Sequence, residues 1–212
     1  MLHNTFCRRL AALVLTLAVA VSAVLPVFAV YPMPIQTATE TEAVYLFNAD
    51  TGKTLLTQNA DQPRYVASLT KMMTALLLLE SGKDLNGEVT VPTDLTQEFK
   101  DIQNANGTTM GLRIGETVRR IDLLNALLIT SANDAASVIA WDVGGSLNAF
   151  IQQMNARAAE LGCTSATFTC AHGLYDYGNV ASAEDMAKIA AACAANETFA
   201  QVAGSTTYTL GQ

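Results

Sequence analysis

A serine and a lysine three residues apart begin the apolar stretch VASLTKMMTALLLLE, which runs from Val66 to Glu80. Side chains at i and i+3 lie on one face of a helix, so the amine of Lys71 can reach the hydroxyl of Ser68. A neutral amine in that place is a general base for a serine nucleophile. Alternatively, Ser68 caps the helix and Lys71 extends into water. The pair by itself fits both interpretations.

The position of Lys71 is electrostatically unfavourable. A helix N-terminus carries a partial positive charge, and a capping box places Glu or Gln three residues after the serine. Lowering the pKa of a lysine from about 10.4 to about 7 costs about 4–5 kcal/mol. The helix N-terminus contributes at most about 2 kcal/mol of this. Desolvation in a buried cleft must therefore provide most of the shift.

A second polar motif, SAN at Ser131 to Asn133, lies between two apolar segments. As structure alone, Ser131 and Asn133 are caps for the helix that follows. A rival SLN at Ser146 to Asn148 shows that a single SxN motif is weak evidence. Order adds weight, because the SxxK motif opens one predicted buried helix and SxN follows later between two others.

Elements that would position these residues are predicted from hydrophobic periodicity. AVYLFNADTGKTLLTQN indicates a hairpin that turns around residues 48–53, and the glycine- and asparagine-rich NANGTTMGLRIGETV indicates a loop. The closing TTYTLGQ indicates the start of a strand. A first helix is predicted from Ser68 to about Ser81. Two more flank SAN, the second of them ending near Val143. The last two are predicted from about Leu147 to Leu161 and from about Ala183 to Ala195, with Ser182 as the cap of the final one.

The chain begins with the features of an exported protein. Residues 1–29 have a basic head at Arg8 and Arg9, an apolar run and small residues before a cleavage point after Ala29, which predicts a signal peptide. Residues 30–42 are a polar leader, predicted to be flexible. Cleavage would remove two of 12 basic residues and none of 19 acidic ones, leaving a net charge of −9. Nucleic-acid binding is not expected, and membrane contact is expected only through the signal segment or a C-terminal anchor.

Cysteine and histidine usage argues against metal chemistry. Cys163, Cys170 and Cys193 remain after the signal segment, without a CxxC pair or a histidine cluster, so neither a zinc site nor any cofactor is predicted. A disulfide between Cys163 and Cys170 is conceivable but not indicated. His172 is the single histidine after the signal segment, which excludes HExxH chemistry, and no GxSxG elbow occurs.

The ordered motifs resemble one enzyme family. SLTK, SAN, MGLRIGETVRRIDLLNALLITSANDAA and LGCTSATFTCAHGLYDYGNVASAEDMAKIA together resemble the D-alanyl-D-alanine carboxypeptidases, the low-molecular-mass penicillin-binding proteins, over Ala43 to Tyr208. The resemblance implies an α+β fold of the DD-peptidase and β-lactamase type, with a helical region beside an antiparallel sheet of which the chain holds only the N-terminal hairpin. Residues 43–212 would be the N-terminal portion of the catalytic domain.

The resemblance also implies roles for single residues. Ser68 would attack the peptide bond between the two terminal D-alanines of a peptidoglycan stem peptide, and water would release the acyl-enzyme. Lys71 would be the base, Ser131 a proton relay, and Asn133 a group that holds Lys71 and the substrate amide. His172 would lie in the AHGL wall near the substrate, with a structural rather than catalytic role. β-Lactam antibiotics would acylate Ser68 outside the cytoplasm.

One family motif is not found. A K-T-G strand accompanies SxxK in these enzymes, yet Lys188 is followed by Ile189, and the single Lys-Thr pair, Lys53-Thr54, precedes Ser68. A fragment of a longer carboxypeptidase is expected, whose reading frame continues to a K-T-G. The alternatives are a non-catalytic wall-binding remnant and a serine β-lactamase-like protein. The HGL segment and the lack of a recognisable deacylating glutamate argue against the β-lactamase.

Overall fold

The computed structural model describes residues 41–174 and 176–211. The predicted signal peptide, residues 1–29, and residues 30–40 of the predicted leader lie outside these ranges. The helices in the described part are α1 (Thr70–Glu80), α2 (Thr96–Asn104), α3 (Arg120–Ile129), α4 (Asn133–Gly144), α5 (Leu147–Glu160), α6 (Ala183–Ala194) and α7 (Glu197–Ala203). The strands are β1 (Val44–Phe47), β2 (Thr54–Gln58), β3 (Arg64–Tyr65), β4 (Glu88–Thr90), β5 (Thr117–Arg119) and β6 (Val180–Ala181).

The strands form antiparallel pairs around the helical region. β1 pairs with β2 from Val44 opposite Gln58 to Phe47 opposite Thr54, which confirms the predicted hairpin. Its turn closes where Gly52 N donates to Asn48 O over 2.8 Å, with Gly52 at a φ of +67°. Two further pairs that the sequence does not predict, β3 with β6 and β4 with β5, join distant parts of the chain.

Helix α1 lies in the middle of the apolar core. It packs against helices α3, α4, α5 and α6, and a helix covered on several sides is expected to be apolar all round rather than amphipathic. The LLLL run of α1 satisfies this requirement. The largest fully buried apolar side chains from these helices are Met73, Leu76, Leu78, Leu123, Leu124, Leu127, Ile139, Phe150 and Met154.

Several helix limits agree with local capping chemistry. The hydroxyl of Ser146 accepts from Ala149 N at the start of α5, and that of Ser182 accepts from Asp185 N at the start of α6. Both helices match their predicted ranges to within one or two residues. Helix α4 ends where Gly145, at a φ of +74°, takes the left-handed conformation that glycine adopts without a steric penalty.

Three parts of the fold differ from the sequence expectations. The sequence does not predict helices α2 and α7; α2 is largely polar, and its one buried residue is Ile102. The predicted strand in TTYTLGQ is wrong, because residues 205–211 form no strand. Instead, Tyr208 Oη donates to Asp122 Oδ1 over 2.9 Å and Gly211 N donates to the same atom over 3.2 Å. That carboxylate also pairs with Arg119.

No helix among residues 41–174 and 176–211 has the length and apolarity needed to cross a membrane.

Candidate active site

The predicted nucleophile lies just before helix α1. Ser68 is in a 3₁₀ turn, Ala67–Leu69, and α1 begins at Thr70, two residues later than predicted. The Ser68 side chain is exposed and makes no capping hydrogen bond. The capping interpretation of Ser68 is therefore wrong, and its hydroxyl is accessible from solvent.

The amine of Lys71 is buried at the centre of the site. Lys71 is 3% exposed, and its Nζ donates to Ser68 Oγ over 3.2 Å, to Asn133 Oδ1 over 2.8 Å and to the backbone oxygen of His172 over 2.6 Å. Burial lowers the pKa of Lys71 to about 8, against an opposing effect of Cys170. Desolvation shifts the pKa downward, as the sequence argument required, and makes the neutral amine accessible near physiological pH.

Asn133 is held between Lys71 and a loop. It is the first residue of α4 and is 4% exposed. Its Nδ2 donates to Thr108 O over 2.9 Å, and its backbone N donates to the same oxygen over 2.8 Å. Because the amide nitrogen of Asn133 must donate to the carbonyl of Thr108, the amide oxygen is assigned to the side that faces Lys71. Asn133 thus presents a fixed acceptor to the amine.

Ser131 borders the same groove without bonding Lys71. An open groove of about 450 Å³ is lined by both serines and the lysine, together with apolar residues that include Met72 and Leu127. Among the described residues, the acceptors of Lys71 do not include Ser131. The structure therefore brings Ser68, Lys71 and Asn133 into hydrogen-bond contact and places Ser131 at the rim beside them.

The ring of His172 points away from the groove beside Ser68. The imidazole Nε2 lies 2.9 Å from Glu98 Oε1, and Leu174 N donates to Nδ1 over 3.0 Å. His172 lines a different cavity, of about 380 Å³, between α2, α5 and residues that include Thr169 and Asp176. The backbone oxygen of His172, not its ring, contacts Lys71. Sequence reasoning missed this carbonyl, since a backbone acceptor has no residue-type signal.

Partners on both sides of the His172 ring decide which nitrogen carries the proton of the neutral form. Burial lowers the pKa of His172, but hydrogen bonds with Cys170 and Glu98 raise it to about 9. A second proton on Nδ1 would face the N–H of Leu174, which already donates there. In the neutral ring, the proton therefore lies on Nε2 and is donated to Glu98.

The loop that contains His172 is packed tightly on the start of α1. Gly173 has a φ of +80°, and a Cβ there would overlap the backbone oxygen of Ala67. Thr74 Oγ1 donates to Ala171 O over 2.6 Å, and Tyr65 Oη donates to Gly173 O over 2.7 Å. These contacts fix the position of the 171–173 backbone relative to Lys71.

Backbone strain coincides with the groove. Ala67 and Ser131 have φ values of +46° and +59°, a region that non-glycine residues rarely adopt because Cβ approaches the following carbonyl. Each costs of order 1–3 kcal/mol and persists only where surrounding contacts enforce it. Ala67 precedes Ser68, and Ser131 is itself a predicted site residue. Within residues 41–174 and 176–211, the other non-glycine residues of positive φ are Asn59 and Asn106. Two of these four residues therefore lie at the groove.

Asp134 is a further residue of the site region that sequence reasoning missed. It is 2% exposed, and its carboxylate accepts from the backbone N–H groups of Met110, Gly111 and Leu112, each over 3.0 Å. It thereby holds the loop that follows Thr108, the partner of Asn133. The sequence signal that could have indicated this role is the acidic residue directly after SAN. A carboxylate buried at a helix start needs several hydrogen-bond donors.

This arrangement supports nucleophilic acyl transfer. An exposed serine hydroxyl lies beside a buried amine of lowered pKa, and a fixed amide lies beside that amine, which are the components of a serine nucleophile with a lysine base. Among residues 41–174 and 176–211, no three His, Cys, Asp or Glu side chains are grouped so as to hold a metal ion.

Comparison with known proteins shows the family of the chain. The sequence profile described as D-alanyl-D-alanine carboxypeptidase matches residues 31–210. The chain belongs to this family. It is 31% identical over 168 residues to D-alanyl-D-alanine carboxypeptidase DacF of Bacillus subtilis strain 168, covering 79% of the chain and 42% of that protein. It is 35% identical over 154 residues to D-alanyl-D-alanine carboxypeptidase DacC of Escherichia coli K12, covering 70% and 38%.

The fold comparison agrees with the sequence comparison. The crystal structure of the Streptomyces K15 DD-transpeptidase superposes with a TM-score of 0.69 at 32% identity, covering 76% of this chain and 63% of that one. This confirms the predicted α+β fold of the DD-peptidase type. The chain spans about half or less of the length of the curated relatives named above.

Proposed function

We propose that the protein is a serine-type D-alanyl-D-alanine carboxypeptidase that removes the terminal D-alanine from peptidoglycan stem peptides. The observation that carries the proposal is the position of Lys71 Nζ, 3.2 Å from Ser68 Oγ and 2.8 Å from Asn133 Oδ1. Membership of the family supplies the substrate class. Residues 43–212 contribute the N-terminal portion of the catalytic domain in this proposal.

The proposed reaction proceeds through an acyl-enzyme. Ser68 Oγ attacks the carbonyl carbon of the bond between the two D-alanines, and the neutral amine of Lys71 takes the hydroxyl proton. The tetrahedral intermediate collapses with cleavage of the C–N bond, and the leaving amine receives a proton by way of Ser131. Water then attacks the ester carbonyl, the neutral amine of Lys71 takes a proton from that water and passes it to Ser68 Oγ as the ester C–O bond breaks, and the shortened stem peptide leaves. Asn133 keeps Lys71 in place and receives the substrate amide.

Localisation and inhibitors follow from the same proposal. Peptidoglycan lies outside the cytoplasmic membrane, so the enzyme acts in the cell envelope after export by the segment 1–29. A β-lactam carbonyl takes the place of the scissile peptide carbonyl and acylates Ser68. Substrate and inhibitor therefore compete for one hydroxyl group.

Labelling with a fluorescent penicillin tests the proposal on the full-length protein produced from its own gene. The wild type is expected to form a covalent adduct on the peptide that contains Ser68, seen by mass spectrometry, and to release D-alanine from an acylated peptide ending in D-Ala-D-Ala. Ser68→Ala should abolish both signals because it removes the nucleophile, and it should keep the fold because the exposed side chain has no capping role. Ser205→Ala, at an exposed serine that bonds only a nearby carbonyl within its own turn, is the matched control.

Two outcomes separate the alternatives. A wild-type protein that takes no label and releases no D-alanine would be a wall-binding remnant rather than an enzyme. A protein that takes the label but hydrolyses the penicillin within seconds, without releasing D-alanine, would be β-lactamase-like. Label retained by Ser68→Ala at the wild-type rate would show that another residue is the nucleophile.

A further inference from the structure

Glu98 connects two parts of the site although it does not touch Ser68 or Lys71. It lies on α2, and its side chain is 23% exposed. Its Oε1 lies 2.9 Å from His172 Nε2 and accepts from Ser137 Oγ over 3.0 Å. Ser137 lies one turn after Asn133 on α4, and its hydroxyl also lies 3.3 Å from Asn133 O. One carboxylate oxygen therefore bonds both the His172 ring and the helix that carries Asn133.

Both connections lead to acceptors of Lys71. The backbone oxygen of His172 accepts from Lys71 Nζ over 2.6 Å, and Asn133 Oδ1 accepts from it over 2.8 Å. The His172 ring is bonded at both nitrogens, with Leu174 N at Nδ1 and Glu98 at Nε2. A ring held at both nitrogens adds to the contacts that fix its backbone, and with it the carbonyl that holds the amine.

We propose that Glu98 is a positioning residue for Lys71, acting through His172. The inference rests on the proposed function, since it assigns a supporting residue to the same acyl transfer. Without the carboxylate, the buried Nε2–H of His172 loses its acceptor, and such an unpaired donor drives the ring toward another arrangement. The carbonyl then loses one of the contacts that fix it, and the 3.2 Å contact between Lys71 and Ser68 is held less tightly.

The expected loss is in the chemical step, not in binding. Neither the ring of His172 nor Glu98 lines the groove beside Ser68, so the encounter of the β-lactam with the groove should be unchanged. Displacement of a reacting group by about 1 Å reduces reaction rates by up to about 100-fold. Glu98→Ala is therefore expected to lower the limiting acylation rate constant about 10- to 100-fold, with the dissociation constant of the non-covalent complex unchanged within about threefold.

Two variants separate positioning from general stability. Glu98→Gln keeps an oxygen that accepts from Nε2–H and from Ser137, so its acylation rate should stay within about threefold of the wild type. Asp101→Ala is the matched control, because Asp101 lies on the same helix and lines the same cavity but bonds Gln97. It should acylate like the wild type. Thermal melts of each variant establish that the compared proteins are folded.

A double substitution tests the route through His172. In a His172→Ala background the backbone carbonyl is retained but the ring is absent, so adding Glu98→Ala should cause no further loss of rate. The proposal is overturned if Glu98→Ala acylates at the wild-type rate, if Asp101→Ala loses as much, or if the two losses multiply in the double variant. Failure of the wild type to be labelled at all would instead overturn the proposed function, and this inference with it.

Discussion

The Nζ of Lys71 and the Oδ1 of Asn133 lie 2.8 Å apart, although the residues are 62 positions apart in the sequence. Asn133 can present only its oxygen to the amine, because its Nδ2 is occupied by Thr108 O. An amide oxygen holds the amine without adding a charge to the site. A carboxylate in that place would hold the protonated amine more strongly and raise its pKa. The neutral acceptor is therefore suited to a lysine that must lose its proton.

The pH dependence of acylation follows from the pKa of Lys71. The neutral amine is the base, and the pKa is lowered to about 8, so the rate should rise with pH, reach half its limit near pH 8 and level off above it. The measurement is the second-order rate constant for β-lactam acylation between about pH 6 and pH 10. A rate that still rises steeply at pH 10 would mean that Lys71 keeps its ordinary pKa, contrary to its burial.

Asn133→Asp should move this profile to higher pH. A carboxylate within hydrogen-bond distance favours the charged amine and shifts the pKa of a neighbouring group by about 1–3 units. The acylation rate at pH 7 should then fall about tenfold or more. Asn148→Asp, an exposed residue near the start of α5, adds the same charge away from Lys71 and should leave the half-rate pH unchanged. Equal profiles for Asn133→Asp and the wild type would contradict the contact between residue 133 and the amine of Lys71.

The sequence predicts some of these contacts and not others, for physical reasons. The contact between Ser68 and Lys71 depends on helical spacing, which local sequence determines. The contact with Asn133 is long-range, and only the ordered motifs of the family resemblance predict it. The carbonyl of His172 and the carboxylate of Glu98 enter through tertiary packing. Glu98 lies in a polar helix with only two large apolar residues, Phe99 and Ile102, which are too few to predict a helix from the sequence.

Secondary structure shows the same division. Helices α5 and α6 begin at serine caps with clear hydrophobic spacing, and their ranges are predictable from sequence. The two-residue strands β3 and β6 carry no period-2 pattern, since their pairing is made by chain segments that packing brings together. The segment around Tyr208 contains residues typical of strands, yet the buried Asp122 provides hydrogen-bond partners that replace a ladder.

Asp134→Ala should destabilise the protein strongly. The carboxylate accepts three backbone N–H groups from the 110–112 loop, and its removal leaves these partly buried donors without their acceptor. We expect the free energy of unfolding to fall by about 3 kcal/mol or more. Urea denaturation measures the change, with Asp61→Ala, at an exposed aspartate, as control. A loss below about 1 kcal/mol would show that the loop finds other acceptors.

Gly173→Ala tests whether close packing of the 171–173 backbone on the 3₁₀ turn places Ser68. Gly173 has a φ of +80°, and a Cβ would overlap Ala67 O and approach Thr70 Oγ1 to 2.9 Å. Gly82 has a φ of +71°, and a Cβ there would meet no atom within 4 Å, so Gly82→Ala carries the backbone penalty alone, about 1 kcal/mol.

Gly173→Ala should lose at least about 2 kcal/mol of unfolding free energy and most of its acylation rate, because the turn that carries Ser68 must move. Gly82→Ala should acylate normally. If the two variants lose equal stability and keep equal rates, contact with Ala67 does not determine where Ser68 lies.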